Sequence, residues 1–216
     1  MKNLFVWDFH GVLEKDNEFA VKEVVNNVLP IFGIDRKATV KECLDLYGKK
    51  WADYYRYFAP DKDEDTIHNM VEKAVEYSVG KKVASKYIKP MDHAHAVLKQ
   101  IEDAGHMNII MSNSNPGALD YFLDSVDMSS IFRYKYAADR HRKNSHEKNS
   151  KELWLNRFLE KKSDFQKIVV IDDSPAGIEM GRKLGAVTYH FNRYDSHPKS
   201  GADYKISDLR EILKEI

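Results

Sequence analysis

The chain has 216 residues, 34 Lys and Arg balanced by 34 Asp and Glu, and a single cysteine. This length suits one domain, or one domain carrying a smaller insert, and the 43% hydrophobic fraction excludes intrinsic disorder. One cysteine excludes a disulfide framework and fits a reducing compartment, while the zero net charge argues against nucleic acid as a partner. No apolar run approaches the about 18 residues of a membrane span, and Met1–Val12 lacks the pattern of a secretory signal, so we expect a cytoplasmic protein without membrane association.

Short apolar runs alternate with helical patterns along the chain. In chain order, the predicted strands are Leu4–Asp8, Asn108–Ser112, Tyr134–Ala137, Ile168–Asp172 and Ala186–His190. Each run is short and mostly apolar, as a strand buried on both faces should be. The alternation therefore predicts an α/β fold, with a parallel Rossmann-like sheet and helices on both of its faces.

The stretch between the first two predicted strands contains only helical patterns. Thr39 and Glu42 form a capping-box pattern, and Trp51, Tyr54, Tyr55 and Phe58 have the spacing of a buried helix stripe. We therefore expect residues 1–15 and 87–216 to form an α/β core and residues 16–86 a helical insert. A further helix, Asp92–Ala104, is predicted to end at Gly105. His93 and His95 on that helix are expected at the surface, because side chains two residues apart diverge.

Polar residues follow three of the predicted strands at the point where each ends. They are Asp8, the triplet Ser112-Asn113-Ser114 and the triplet Asp172-Asp173-Ser174. In an open parallel sheet the carboxyl ends of the strands are where ligands bind. Carboxylates gathered there repel one another unless a cation lies among them, and a set of oxygen ligands suits Mg²⁺.

Three segments resemble motifs of the haloacid dehalogenase-like hydrolases. Val6–Leu13 is similar to the first motif of that family, Ile110–Asn113 to the second and Ile168–Ile178 to the fourth. The third motif is a lysine, and the family's usual spacing falls on Lys148, with Lys143 and Lys151 as less favoured candidates. The resemblance covers almost the whole chain in order and implies that residues 16–86 form a helical cap.

The resemblance also implies roles for these residues. Asp8 would attack the phosphorus of a small phosphate monoester and form an aspartyl-phosphate, with Ser112 and Lys148 binding the phosphoryl oxygens. Mg²⁺ would be held by Asp8, Asp172, Asp173 and the backbone carbonyl of His10. The backbone N–H groups of Phe9 to Gly11 and of Asn113 would cradle the phosphate.

The sequence departs from the family pattern at residue 10, where His10 stands in place of the second acidic residue of the first motif. In the family that residue protonates the leaving group and then activates water. Histidine can give a proton as imidazolium and take one as imidazole. Two hypotheses follow: a Mg²⁺-dependent phosphatase with His10 as acid and base, and a catalytically impaired relative that binds a phosphorylated ligand or a partner.

Two other branches of the family also lack an acid at that position. The true haloacid dehalogenases use no metal, and in an enzyme of that kind we would not expect the Asp172–Asp173 pair. Phosphonoacetaldehyde hydrolases use a lysine of the cap. The position that matches this lysine is Trp51, and Lys49 and Lys50 lie next to it in the sequence. If the chain is a phosphatase, Lys49, Lys50 and Trp51 occupy the place where relatives bind their substrates. Lys49 and Lys50 fit a solvated surface equally well. The sequence leaves the natural substrate and the oligomeric state open.

Overall fold

The computed structural model describes residues 2–138, 150–162, 164–194 and 199–216. The structure divides into two compact units, one formed by Met1–Lys15 and Pro90–Ile216 and the other by Asp16–Lys89. The second boundary lies at Lys89, a few residues beyond the one expected from sequence. Within the described ranges, no helix combines the length and the apolar character that crossing a membrane requires.

The strands are β1 (Lys2–Trp7), β2 (Glu14–Lys15), β3 (Lys89–Pro90), β4 (Met107–Ser112), β5 (Lys135–Ala137), β6 (Phe165–Asp172), β7 (Val187–Phe191) and β8 (Tyr204–Ile206). Six of them form one parallel sheet in the order β5-β4-β1-β6-β7-β8. The five predicted strands are confirmed. Strand β8 was not predicted, because only Ile206 of its three residues is buried and so short a run carries no periodic signal.

The helices are α1 (Asn17–Val28), α2 (Val40–Asp45), α3 (Trp51–Phe58), α4 (Glu64–Gly80), α5 (Ala94–Asp103), α6 (Pro116–Ser125), α7 (Lys151–Lys161) and α8 (Pro175–Lys183). On one face of the sheet, Leu4 and Val6 belong to the same buried cluster as Phe158 of α7 and Met180 of α8. Alternate residues of β1 point to the opposite face. There the Trp7 indole donates to Asn108, whose side-chain amide donates to a backbone carbonyl of α5. The predicted α/β class, with helices on both faces, is confirmed.

The unit Asp16–Lys89 consists of α1 to α4 with two short 3-10 helices, Leu29–Phe32 and Ala84–Lys86. The capping box predicted from Thr39 and Glu42 is present at the start of α2. Tyr54, Tyr55 and Phe58 are buried, which confirms that the aromatic stripe of α3 packs in a core.

Candidate active site

The order of the strands brings the predicted acidic residues together. Strand β1 lies between β4 and β6, so the end of β1 is flanked by the ends of both neighbours. Asp8 follows β1 directly, and its backbone N–H donates to the carbonyl of Ile171 over 2.9 Å. Ser112 ends β4 and Asp172 ends β6. The candidate site therefore lies at the carboxyl edge of the central strands, where ligands bind in open parallel sheets.

Three aspartates and one lysine form the centre of this site. Asp8, Asp172 and Asp173 each place one carboxylate oxygen within 4.8 Å of the others. The Nζ of Lys151 lies 2.5 Å from Oδ1 of Asp8 and 3.4 Å from Oδ2 of Asp172. The side chains of Asp8 and Lys151 are only 10% and 11% exposed, so solvent screens these interactions weakly. Among the described residues, Lys151 is thus the lysine that faces the three carboxylates.

The electrostatics of this cluster favour an additional cation. Burial, reinforced by the charge of Asp172, raises the pKa of Asp8 to about 6, against the opposing effect of Lys151. Burial, with the charges of Asp8 and Asp172, also raises the pKa of Asp173 well above its usual value. Burial disfavours the Lys151 cation, but the attraction of Asp172 and Asp8 outweighs it and raises the pKa of Lys151. A divalent cation would relieve the carboxylate repulsion, and the oxygen-only donor set fits Mg²⁺.

A close approach of helix α8 fixes the orientation of Asp172. Its Oδ1 accepts hydrogen bonds from the Ser174 N–H at 2.9 Å and the Ser174 hydroxyl at 2.6 Å, and that hydroxyl accepts from the Gly177 N–H at 3.1 Å. A Cβ atom on Gly177 would lie 2.0 Å from the Asp172 carboxyl carbon. Glycine is therefore required at residue 177, because any side chain would displace the carboxylate.

The neighbouring strand β7 supports the same turn. His190 is fully buried, and its Nε2 lies 2.9 Å from the backbone carbonyl oxygen of Asp173. Its Nδ1 lies 2.7 Å from the hydroxyl of Ser200. A carbonyl only accepts, so the Nε2 carries the proton in this contact. His190 thus holds the backbone of the acidic turn in place.

The lysine at this centre is Lys151, one of the less favoured candidates from sequence. Lys148, the preferred candidate, and Lys143 lie outside the described residues. Helix α7 begins at Lys151 and is capped by the hydroxyl of Ser150, which accepts from the N–H of Leu153. Spacing along the chain misses this placement because the residue that enters the site depends on where the helix begins.

The imidazole of His10 is hydrogen-bonded at both of its nitrogens. Nδ1 lies 3.0 Å from Oε1 of Glu14, and Nε2 lies 3.0 Å from the hydroxyl of Ser114. The rings of Phe9 and Phe122 pack edge-on against it, with centroids at 5.1 and 4.9 Å. His10 is 26% exposed, whereas the Glu14 side chain is completely buried. These contacts define the ring orientation, and no pattern in the sequence indicates that Glu14 or Ser114 contacts this ring.

The loop after β1 has a left-handed backbone conformation at Gly11. Its φ angle is +77°, which favours glycine, and its N–H donates to Oε1 of Glu14 over 3.2 Å. Phosphate binding by the backbone N–H groups of Phe9 to Gly11 stays a prediction. The side chain of Phe9 is buried and stacks on Phe122, and its carbonyl accepts from the N–H of Leu13 over 2.9 Å.

The end of β4 presents a buried, an exposed and a buried residue in succession. Ser112 is buried, Asn113 is exposed and Ser114 is buried. The hydroxyl of Ser112 accepts from the N–H of Ser114 over 3.2 Å. The phosphate-binding roles of Ser112 and Asn113 stay predictions.

The predicted cap residues lie at the start of α3, in the helical unit. Lys50 precedes the helix, and its N–H donates to Oδ2 of Asp53 over 3.2 Å. Trp51 begins α3, and the centroid of its ring lies 5.7 Å from the centroid of the Tyr54 ring. Lys49 and Lys50 are exposed. A role for Lys49, Lys50 and Trp51 in substrate binding stays a prediction.

The buried Asp–Lys centre lies at the carboxyl ends of the central strands, which is where α/β proteins with parallel sheets bind their ligands. A family model described as haloacid dehalogenase-like hydrolase matches residues 5–190. The chain therefore belongs to the haloacid dehalogenase-like hydrolases, which confirms the resemblance found in its motifs. No functionally curated protein sequence matches the chain significantly.

Solved structures of related fold extend over nearly the full chain. A predicted phosphatase from Clostridium acetobutylicum superposes with a TM-score of 0.78 at 17% identity, covering 100% of this chain and 98% of its own. A predicted phosphoglycolate phosphatase from Haemophilus somnus gives 0.79 at 14% identity, covering 99% and 97%. A family hydrolase from Deinococcus radiodurans R1, with bound phosphate and sodium, gives 0.67 at 18% identity, covering 99% and 96%. At these identities the likeness shows a shared fold.

Proposed function

We propose that the protein is a Mg²⁺-dependent phosphatase that hydrolyses a small phosphate monoester through an aspartyl-phosphate on Asp8. The observation that carries the proposal is the buried centre in which the Asp8 carboxylate lies 2.5 Å from the Lys151 ammonium and beside Asp172 and Asp173. The family and the phosphatases among the structural relatives support the same chemistry.

Asp8, Asp172, Asp173 and the backbone carbonyl of His10 would hold the metal ion. When bound, Mg²⁺ supplies positive charge that balances the charge developing on the phosphoryl oxygens. Within the part of the chain that the structure describes, three carboxylates face the one lysine Lys151, which gives the site the negative charge that such an ion neutralises. Lys151 takes the role expected of Lys148, which is to bind a phosphoryl oxygen, and Ser112 would contribute its hydroxyl.

The reaction has two displacements at phosphorus. In the first, an Asp8 oxygen forms a bond to phosphorus while the bond to the leaving oxygen breaks and that oxygen takes a proton from the His10 imidazolium. In the second, the neutral His10 takes a proton from water, whose oxygen attacks phosphorus and releases Asp8 and inorganic phosphate. Atoms and protons balance over the cycle, and His10 returns to its starting state.

Turnover of an aryl phosphate with Mg²⁺ tests this proposal in the wild type and in Asp8→Asn. We expect the wild type to be active, Asp8→Asn to be inactive, and acid-quenched wild type to carry one phosphoryl group on Asp8 by mass spectrometry. A fully folded but inactive wild type that binds inorganic phosphate would instead support the impaired relative that binds a phosphorylated ligand. Undiminished activity of Asp8→Asn would exclude Asp8 as the nucleophile.

A further inference from the structure

The environment of His10 contains a buried carboxylate that the phosphatase mechanism does not use. Oε1 of Glu14 lies 3.0 Å from Nδ1 of His10 and 3.2 Å from the backbone nitrogen of Gly11. The Glu14 side chain is completely buried, and an isolated β-bridge joins residues 10 and 14. The carboxylate is thus held by the same short loop that carries the histidine.

We infer that Glu14 is a positioning residue that fixes the Nδ1–H tautomer of His10 and so leaves Nε2 as the nitrogen that transfers the proton. The inference rests on the proposed function for its catalytic consequence. A carboxylate oxygen has no proton to donate, so the imidazole is the donor in the contact between Nδ1 and Glu14, and the proton of the neutral ring lies on Nδ1. A carboxylate on the opposite nitrogen is an established way of selecting a histidine tautomer.

Ser114 completes the arrangement at the other nitrogen. Its hydroxyl lies 3.0 Å from Nε2, and its backbone N–H donates to the hydroxyl of Ser112. A hydroxyl both donates and accepts, so it donates to Nε2 of the neutral ring and accepts from Nε2–H of the charged ring. Ser114 therefore fits both protonation states that His10 adopts in the proposed cycle, and it links the imidazole to the strand end that carries Ser112.

Glu14 also explains why an acid at residue 10 would not simply restore the family pattern. In His10→Asp, the new side chain would offer the Glu14 carboxylate only acceptor oxygens, so the hydrogen bond that Nδ1–H gives to Glu14 in the wild type would be lost. Glu14 therefore favours a hydrogen-bond donor such as histidine at residue 10.

The first test measures the tautomer directly and requires no turnover. Nitrogen-15 NMR of the neutral imidazole, with His10 assigned by its loss in His10→Gln, should show the proton on Nδ1 in the wild type. In Glu14→Leu the signal should shift toward the Nε2–H form. A wild type in the Nε2–H form, or a tautomer unchanged in Glu14→Leu, would overturn the inference even if the enzyme is an active phosphatase.

The second test separates positioning from packing. In Glu14→Leu, kcat should fall at least about 100-fold with KM changed less than about threefold, because general acid–base catalysis contributes about 10²–10⁴-fold. Glu14→Gln keeps an acceptor oxygen and should recover most of that loss. Glu215→Gln is the matched control. Glu215 is buried and its carboxylate accepts from Lys167 and Tyr189. Its backbone carbonyl accepts from Asn3 near the start of β1, at the end of that strand away from Asp8. This control should lower stability and leave kcat unchanged.

A double variant provides the sharpest outcome. His10→Asp with Glu14→Gln should turn over faster than His10→Asp alone, because the glutamine amide can donate a hydrogen bond to the aspartate that replaces the imidazole. Equal or lower activity in the double variant, or equal kcat in Glu14→Leu and the wild type, would contradict the inference. An inactive wild type with the Nδ1–H tautomer present would instead count against the proposed function while the tautomer assignment holds.

Discussion

Replacing Asp8 by asparagine should make the metal-free protein more stable while it abolishes catalysis. The carboxyl is buried beside Asp172, and these two effects raise its pKa from 3.8 to about 6 in spite of Lys151. At neutral pH Asp8 is ionised in the folded protein, but its ionisation costs more free energy there than in the unfolded chain. The amide of asparagine has nearly the same shape as the neutral carboxyl and carries no charge.

The size of the effect follows from the shift in pKa. The pKa of Asp8 rises by roughly two units, and each unit corresponds to about 1.4 kcal/mol. We expect Asp8→Asn to raise the free energy of unfolding by about 3 kcal/mol at pH 7.5, or roughly 6–12 °C in Tm for a chain of this length. This is a large fraction of the about 5–15 kcal/mol that stabilises a typical domain.

The pH dependence has a defined sign. Because the folded pKa lies above the unfolded one, the stability associated with neutral Asp8 is present below pH 3.8 and is lost as the pH rises through about 6. The advantage of the variant should therefore be small at pH 4 and should grow up to about pH 7. Urea unfolding at pH 4, 5.5 and 7.5 with a chelator present measures this trend.

Asp35→Asn is a suitable control, because Asp35 is exposed and the substitution removes the same charge. Its effect on stability should be small at every pH. If Asp8→Asn is no more stable than the wild type at pH 7.5, or if its advantage does not depend on pH, the argument that burial penalises the Asp8 charge is refuted.

Three further predictions concern the same centre. Lys151→Met should destabilise the protein by about 3–5 kcal/mol in urea unfolding, because it removes the Lys151 cation from beside the buried carboxylates. Lys148→Ala should retain activity. If Lys148→Ala is inactive, Lys148 is the site lysine instead. Gly177→Ala should lower stability by about 1–3 kcal/mol and weaken Mg²⁺ binding in calorimetry. Gly117→Ala is the control and should be neutral or slightly stabilising, because the nearest atom to a Cβ there lies at 3.8 Å. Equal effects of the two substitutions would contradict the close approach of Gly177 to Asp172. Mg²⁺ at about 100 times its Kd should stabilise the wild type by about 2.7 kcal/mol and Asp8→Asn by clearly less, and no stabilisation of the wild type would argue against a metal site.

The α/β class and the strand ends were predictable from local patterns. Buried parallel strands are short apolar runs, and Asp8, Ser112 and Asp172 follow such runs directly. The capping box of Thr39 and Glu42 was predictable for the same reason, because its hydrogen bonds join residues three apart. These features depend on near neighbours in the chain.

Other parts of the site depend on contacts between distant residues. Lys151 reaches Asp8 across 143 positions, and Ser114 reaches His10 across 104. The burial of Glu14 and the contact of Gly177 with the Asp172 carboxyl also depend on how the loops and helices pack. No spacing rule predicts these contacts, since the distance along the chain between two such residues does not limit how closely they approach in the fold.

By itself, the sequence determined the fold class, the family and the acidic residues at the strand ends, because hydrophobic periodicity and short motifs encode them locally. Only the tertiary structure decided which lysine faces Asp8, which carboxylate orients His10 and how strongly burial raises the pKa of Asp8. Those properties arise from removing charges from water and placing them side by side, which happens only when the strands and helices pack together.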